Sequence, residues 1–144
     1  MIVGADPLGD DLGAVDRGDD RVGRTGRTGR ASRWQLAPGA LPLWIAGGRD
    51  GHAWFTEQGA SEIGRVTVGG AIAHFSTGIT PGSAPTGIAP GPGGMWFTER
   101  DADRIGRIST LGAVTEFGGL TPNAAPSGIR SEEHTSELQS PYVI

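Results

Sequence analysis

At 144 residues the chain has the length of one ordinary domain, and its 26 Gly and 10 Pro make it turn-rich. Its net charge of −4 is too small to name a partner, and the lack of Cys excludes disulfides and thiolate metal sites. No apolar run reaches membrane-spanning length, and no window has the apolar spacing of an amphipathic helix over three turns. Short strand-like stretches separated by Gly, Pro, Asp and Ser predict an all-β fold instead.

Residues 1–31 hold many Asp, Arg and Gly, no aromatic and only scattered aliphatics. Such a stretch cannot bury enough apolar area to offset its ordering entropy, so disorder is expected. The run GRTGRTGR is basic, but Asp6, Asp10, Asp11, Asp16, Asp19 and Asp20 lie just upstream. That mixed balance reads as a solvated segment rather than a nucleic-acid arm. No signal-peptide core is visible, which favours a cytoplasmic location.

From residue 32 to 129 the chain repeats itself. AWFTEQGASEIGRV (53–66) returns as MWFTERDADRIGRI (95–108). Trp54, Phe55, Thr56, Glu57, Ile63, Gly64 and Arg65 pair with Trp96, Phe97, Thr98, Glu99, Ile105, Gly106 and Arg107, each 42 positions on. Phe75 answers Phe117 in the same register, and LPLWIAGG, APTGIAPG and APSGI recur with small slips in length. Each unit holds four strand-like stretches, the content of one β-propeller blade. The expected fold is therefore a propeller fragment with blades over about 41–83 and 84–124 and a third beginning at 125. The repeated Trp and Phe residues are expected between neighbouring blades.

Asp50-Gly51 and Gly93-Gly94 read as tight hairpin turns. There is no phosphate-binding glycine pattern with a following helix, no nucleophile elbow and no Ser/His/Asp set. Glu57 and Glu99 end the second strand of each unit, and a carboxylate repeated in every blade is expected to be structural, with Arg65 and Arg107 as partners. These two Glu are the weak candidates for a metal, because Mg2+ takes hard oxygen ligands but needs several that converge. His52 and His74 are expected to face solvent, since their equivalents in the next unit are not histidines. An open pair of blades exposes packing faces and favours self-association through them.

After Ile129 the repeat stops, and RSEEHTSELQS (130–140) matches nothing upstream. It resembles the conceptual translation of a common sequencing-library adapter oligonucleotide, so 130–144 is expected to be a non-native tail. As protein, SEEHTSELQ suits a short surface helix capped by Ser131, with Glu132 and Glu133 in its first turn. His134 and Glu137 are discounted as metal ligands with the tail.

The string P-x-G-I-A, W-F-T-E, I-G-R-I and T-E-F over residues 32–129 resembles the blade repeat of the virginiamycin B lyase (streptogramin lyase) family. The resemblance implies a bacterial, antibiotic-resistance parent: a propeller that opens cyclic depsipeptides, the type B streptogramins, by Mg2+-dependent elimination at the ester bond. The base and metal ligands of that family are His and Glu on innermost strands, often as P-H-G-I. The matching positions here are Leu43, Thr86 and Ser127, so no catalytic residue is assigned and no metal is expected in this chain. Whether the chain acts as an enzyme is left open. The alternatives are a non-enzymatic NHL-like propeller that binds protein or glycan, and a gluconolactonase-like metal hydrolase, which would need Asp, Asn and Glu ligands that these strands lack. Neither nucleic acid nor membrane is an expected partner.

Overall fold

The computed structural model describes residues 2–5, 12–25, 31–67, 69–131 and 141–143. They form three four-stranded antiparallel sheets and one two-stranded sheet. The first sheet is β1 (Ile2–Ala5), β2 (Leu12–Asp16), β3 (Arg21–Thr25) and β4 (Ala31–Gln35). The second is β5 (Pro42–Gly47), β6 (Ala53–Glu57), β7 (Glu62–Val66) and β8 (Ile72–Phe75). The third is β9 (Pro85–Gly91), β10 (Gly94–Glu99), β11 (Arg104–Ile108) and β12 (Val114–Phe117). Then β13 (Ile129–Ser131) pairs with β14 (Pro141–Val143). Strands pair in chain order within every sheet, and the first strands β1, β5, β9 and β13 lie against one another in sequence. This is the expected propeller arrangement of successive meander blades.

The N-terminal segment departs from expectation. Residues 2–5, 12–25 and 31–35, expected to be disordered, make a complete blade, so the chain holds three four-stranded blades before β13. Residues 6–11 and 26–30 of the same stretch lie outside the described residues. The physical reason is that a blade needs only half a core of its own, because its neighbour supplies the rest. Val15 and Val22, each 1% exposed, pack with Ile45, Phe55 and Val66 of the next blade. The register shows the hidden repeat: Asp16 faces Arg21 as Glu57 faces Glu62 and Glu99 faces Arg104. L-G-A-V-D thus stands in the place of A-W-F-T-E, 41 positions earlier. Gly13 replaces the Trp, and Ile45 fills the space, lying 2.7 Å from where a Cβ on Gly13 would sit.

Alternation along the strands gives each blade two different faces. In the second blade Phe55, Glu57, Glu62, Gly64 and His74 share one face, which packs on the first blade. Trp54, Thr56, Ile63, Arg65 and Phe75 share the other, which packs on the third. The glycine of I-G-R is fixed by the first face. A Cβ on Gly64 would lie 2.1 Å from Phe55 Cζ, and one on Gly106 would lie 2.2 Å from Phe97 Cζ.

The threonine of W-F-T-E joins blades on the second face. A register shift between β5 and β6, and again between β9 and β10, leaves it outside the ladder. Its hydroxyl fills the gap, accepting from Trp44 N at 3.1 Å in one blade and from Gly87 N at 2.9 Å in the next. Thr56 and Thr98 then donate to the carbonyls of Thr86 on β9 and Ser127 just before β13, at 2.8 and 2.9 Å. Asp20, Ser61 and Asp103, all in the left-handed region, close the β2–β3, β6–β7 and β10–β11 turns. Their side chains accept from the linker to the next blade: Gly39 N and Leu41 N for Asp20, Gly82 N for Ser61, Asn123 N and Ala125 N for Asp103.

The repeated aromatics differ in cover. Trp54 is fully buried and stacks on Phe75 at 5.8 Å. Trp96 stacks on Phe117 at 5.4 Å but is half-buried, and Phe117 is exposed. The first pair is covered by Ile79, Ile88 and Met95 near and on the third blade, whereas the second lies on the last four-stranded sheet. The inter-blade role therefore holds in full for Trp54 and in part for Trp96. Of the helix expected over 131–139, Ser131, its expected cap, ends β13 instead, and residues 132–139 lie outside the described residues.

Candidate functional site

Two sets of positions bear on function. The first is the P-x-G-I element on the innermost strands. Leu43 is half-buried, Thr86 is buried with its hydroxyl donating to Ala84 O, and Ser127 is exposed. The Thr86 and Ser127 carbonyls are the acceptors of the blade-joining threonines. These positions hold the frame and offer no base.

The second set surrounds the carboxylate that ends each second strand. Glu57 and Glu99 are both buried, at 1% and 0% exposure. Neither meets the arginine that the sequence suggests. Arg65 lies opposite Trp54 and Arg107 opposite Trp96, so both are on the face away from the Glu. Each guanidinium stacks instead on its own Trp and Phe: Arg65 at 5.4 and 5.3 Å from Trp54 and Phe75, Arg107 at 5.5 Å from Trp96 and Phe117. Arg65 also donates to Thr110 O at 2.8 Å.

Glu57 is held by His74, whose Nδ1 lies 2.7 Å from Oε2. Glu62 approaches the same Nδ1 at 3.8 Å. Burial pushes the Glu57 carboxyl above its usual range, opposed by the hydrogen bond and charge of His74, and Glu62 adds to the rise. His74 faces solvent over 38% of its side chain, as expected, yet it serves the buried acid. His52 sits half-buried in its turn, its amide donating to Asp50 Oδ1.

In the third blade the equivalent acid, Glu99, has no hydrogen-bond partner on either carboxyl oxygen, and Ser83 Oγ beside it has none. Burial first, and then the neighbouring Glu116 carboxylate, push Glu99 up to about 8. Burial alone would raise Glu116 too. The adjacent Glu99 carboxyl, the hydrogen bonds from the Thr80 amide and hydroxyl, and the Arg104 charge take it below its usual value. Burial and mutual repulsion therefore favour one proton held by the Glu99–Glu116 pair.

The partners Glu62, Arg104 and Glu116 escape sequence reasoning focused on the repeated letters. The usable signal is where the repeat breaks: Glu62 becomes Arg104 and His74 becomes Glu116 at the same 42-residue offset. Among the described residues only Glu57, Glu62 and His74 gather three potential metal-ligating side chains, all within 4.8 Å of one another. Glu99, the other weak metal candidate, joins no such group there.

Residues 4–137 match the model of the virginiamycin B lyase family. Among solved structures the chain is similar to virginiamycin B lyase from Staphylococcus aureus, with 32% identity and a TM-score of 0.80 over 99% of this chain and 54% of that one. It is also similar to a streptogramin B lyase, with 28% identity and a TM-score of 0.81 over 99% of this chain and 53% of that one. A third match, 31% identical with a TM-score of 0.79, covers 97% of this chain and 54% of a catalytically inactive Staphylococcus aureus virginiamycin B lyase variant with quinupristin. No curated protein matches significantly. The chain thus spans about half the length of the lyases it resembles. By its repeat, its blades and these matches, the chain belongs to the virginiamycin B lyase family.

Proposed function

We propose that these blades are the framework part of a streptogramin-lyase propeller, which linearises type B streptogramins by Mg2+-dependent elimination at the ester bond, and that the chain alone is inactive. The observation that carries the first half is the match, over nearly the whole chain, to lyases at close to one-third identity. Elimination needs a base to remove the proton beside a carbonyl. The described innermost strands put Leu43, Thr86 and Ser127 where the family resemblance puts its His, and none of the three side chains is a base at neutral pH or a carboxylate for Mg2+. These positions do not fit the metal. The base and the Mg2+ ligands then belong to other blades of a larger ring.

The test supplies the chain with the part of the Staphylococcus aureus lyase that it does not span. The chain alone with Mg2+ should leave quinupristin cyclic, and the combination should give a linear product of unchanged mass, because elimination adds no water. Turnover by the chain alone would show that a base has been overlooked, and a mass gain of one water would indicate hydrolysis. No product from a combination that assembles would favour the second reading, a non-enzymatic NHL-like propeller scaffold. That reading draws on the same missing base.

A further inference from the structure

The positions around the acid that ends the second strand form a set with one member from each of three strands, fixed by the register, and the set changes from blade to blade. In the first blade it is Asp16, Arg21 and Arg33; in the second Glu57, Glu62 and His74; in the third Glu99, Arg104 and Glu116. The first two members of each set are directly opposed across an antiparallel pair, Asp16 with Arg21 and Glu99 with Arg104. These are acid against guanidinium, the favourable arrangement. Only the second blade opposes acid to acid, Glu57 with Glu62. Like charges so placed destabilise a sheet, and the basic group that lies beside both is His74.

We propose that Glu57, Glu62 and His74 bind a divalent transition-metal ion of the zinc type, in the blade where an acid replaces the arginine that the sister blades carry opposite the second-strand acid. The donor set is one imidazole nitrogen and two carboxylates, which suits Zn2+ and its first-row neighbours rather than the all-oxygen octahedron of Mg2+. Two ligands on a tetrahedral ion at about 2.0–2.1 Å stand roughly 3.4 Å apart. His74 Nδ1 is 2.7 Å from Glu57 Oε2 and 3.8 Å from Glu62 Oε2, so the three atoms straddle that spacing. A small retreat of His74 from Glu57 exchanges their hydrogen bond for two metal bonds. Glu57 anchors the floor of the site at 2% side-chain exposure, while Glu62 and His74 are open at 31% and 38%, which leaves an entry path and a fourth position for water. The framework is rigid, because all three side chains stand on paired strands of one sheet face. The site lies on the second, third and fourth strands, away from the innermost ones, and stands or falls independently of the lyase reading.

Calorimetric titration of the whole chain with ZnCl2, repeated with CoCl2 while visible absorption is followed, tests this. One equivalent of Zn2+ should bind, Co2+ should give the intense bands of a low-coordinate site, and Mg2+ should not compete. Glu62→Arg, which installs the third blade's residue, and His74→Gln should each weaken binding by at least the ten- to hundredfold that lost supporting contacts cost. His52→Ala and His134→Ala should leave it unchanged. Glu62→Arg should also raise the midpoint of thermal unfolding without metal and remove the rise caused by Zn2+. Absence of a stoichiometric Zn2+ isotherm, retention of affinity in both folded ligand variants, or loss in His52→Ala or His134→Ala would each overturn the proposal.

Discussion

Thr56 Oγ1 donates to the Thr86 carbonyl at 2.8 Å, so a side chain on the second strand of one blade fastens the first strand of the next. The same hydroxyl accepts from Trp44 N, closing the gap left by a register shift in its own sheet. Thr56→Val keeps the shape and removes both bonds, and the first blade already has Val15 at this place. The carbonyl and amide left behind are largely screened from water, so the substitution should cost about 1–3 kcal/mol. Urea unfolding measures it; a loss below a few tenths of a kcal/mol would show that water satisfies both groups.

Gly64 cannot carry a side chain while Phe55 keeps its ring where it is, 2.1 Å from the would-be Cβ. Gly64→Ala should destabilise by about 1–3 kcal/mol through overpacking, and Phe55→Leu should recover part of that in the double variant. In the first blade the ring is replaced by Ala14, and a Cβ on Gly23 would meet nothing nearer than 3.5 Å. Gly23→Ala should therefore be neutral within about 0.5 kcal/mol. Equal costs at both glycines would contradict the assignment of Phe55 as the cause.

Glu99 sets a pH dependence of stability. Its folded pKa, about 8, lies above its ordinary value of 4.5, so the folded state holds a proton that the unfolded chain releases. The stabilising contribution is fully present below about pH 4.5 and is lost as pH rises to about 8. Glu116, shifted the other way, contributes stability that is lost as pH falls through its lowered value. Stability at constant salt should therefore decline from about pH 5 to 8, and Glu99→Gln, a neutral mimic of the protonated acid, should flatten that slope. A slope unchanged in Glu99→Gln would place the proton elsewhere.

Trp54 and Trp96 occupy equivalent positions in unequal settings, one sealed by the following blade and one half-buried. Trp54→Ala should cost about 3–5 kcal/mol and Trp96→Ala less than half as much. On the face around Trp96 Phe117 is 38% exposed, and Leu111 in the β11–β12 turn is 92% exposed. Self-association through that apolar surface is expected, and sedimentation of Leu111→Lys with Phe117→Lys should show a shift to monomer. A monomeric parent chain at high concentration would remove that expectation.

The fold was readable where the repeat kept its large residues. Trp54, Phe55 and Gly64 return as Trp96, Phe97 and Gly106, and they marked two blades and their strand order. The first blade was not readable, because Gly13, Ala14 and Val15 replace W-F-T and the missing volume comes from Ile45 in another sheet. Composition measures what a segment can bury by itself, and here the neighbour does half the burying. The acid's partners were misread for a different reason. Glu57 and Arg65 look adjacent in the motif, but strand parity puts them on opposite faces, and the true partners, His74 and Glu62, belong to letters that the repeat does not preserve.

The clasp from each threonine runs only forwards, so the second and third blades each present a donor to the backbone that follows them. Such polarity makes the later of these two junctions a copy of the earlier, in the manner of links that can be added or removed without recutting their neighbours. Whole units can accordingly be gained or lost by recombination between matching W-F-T-E segments, while the curvature of the ring, rather than any single junction, dictates how many can close it.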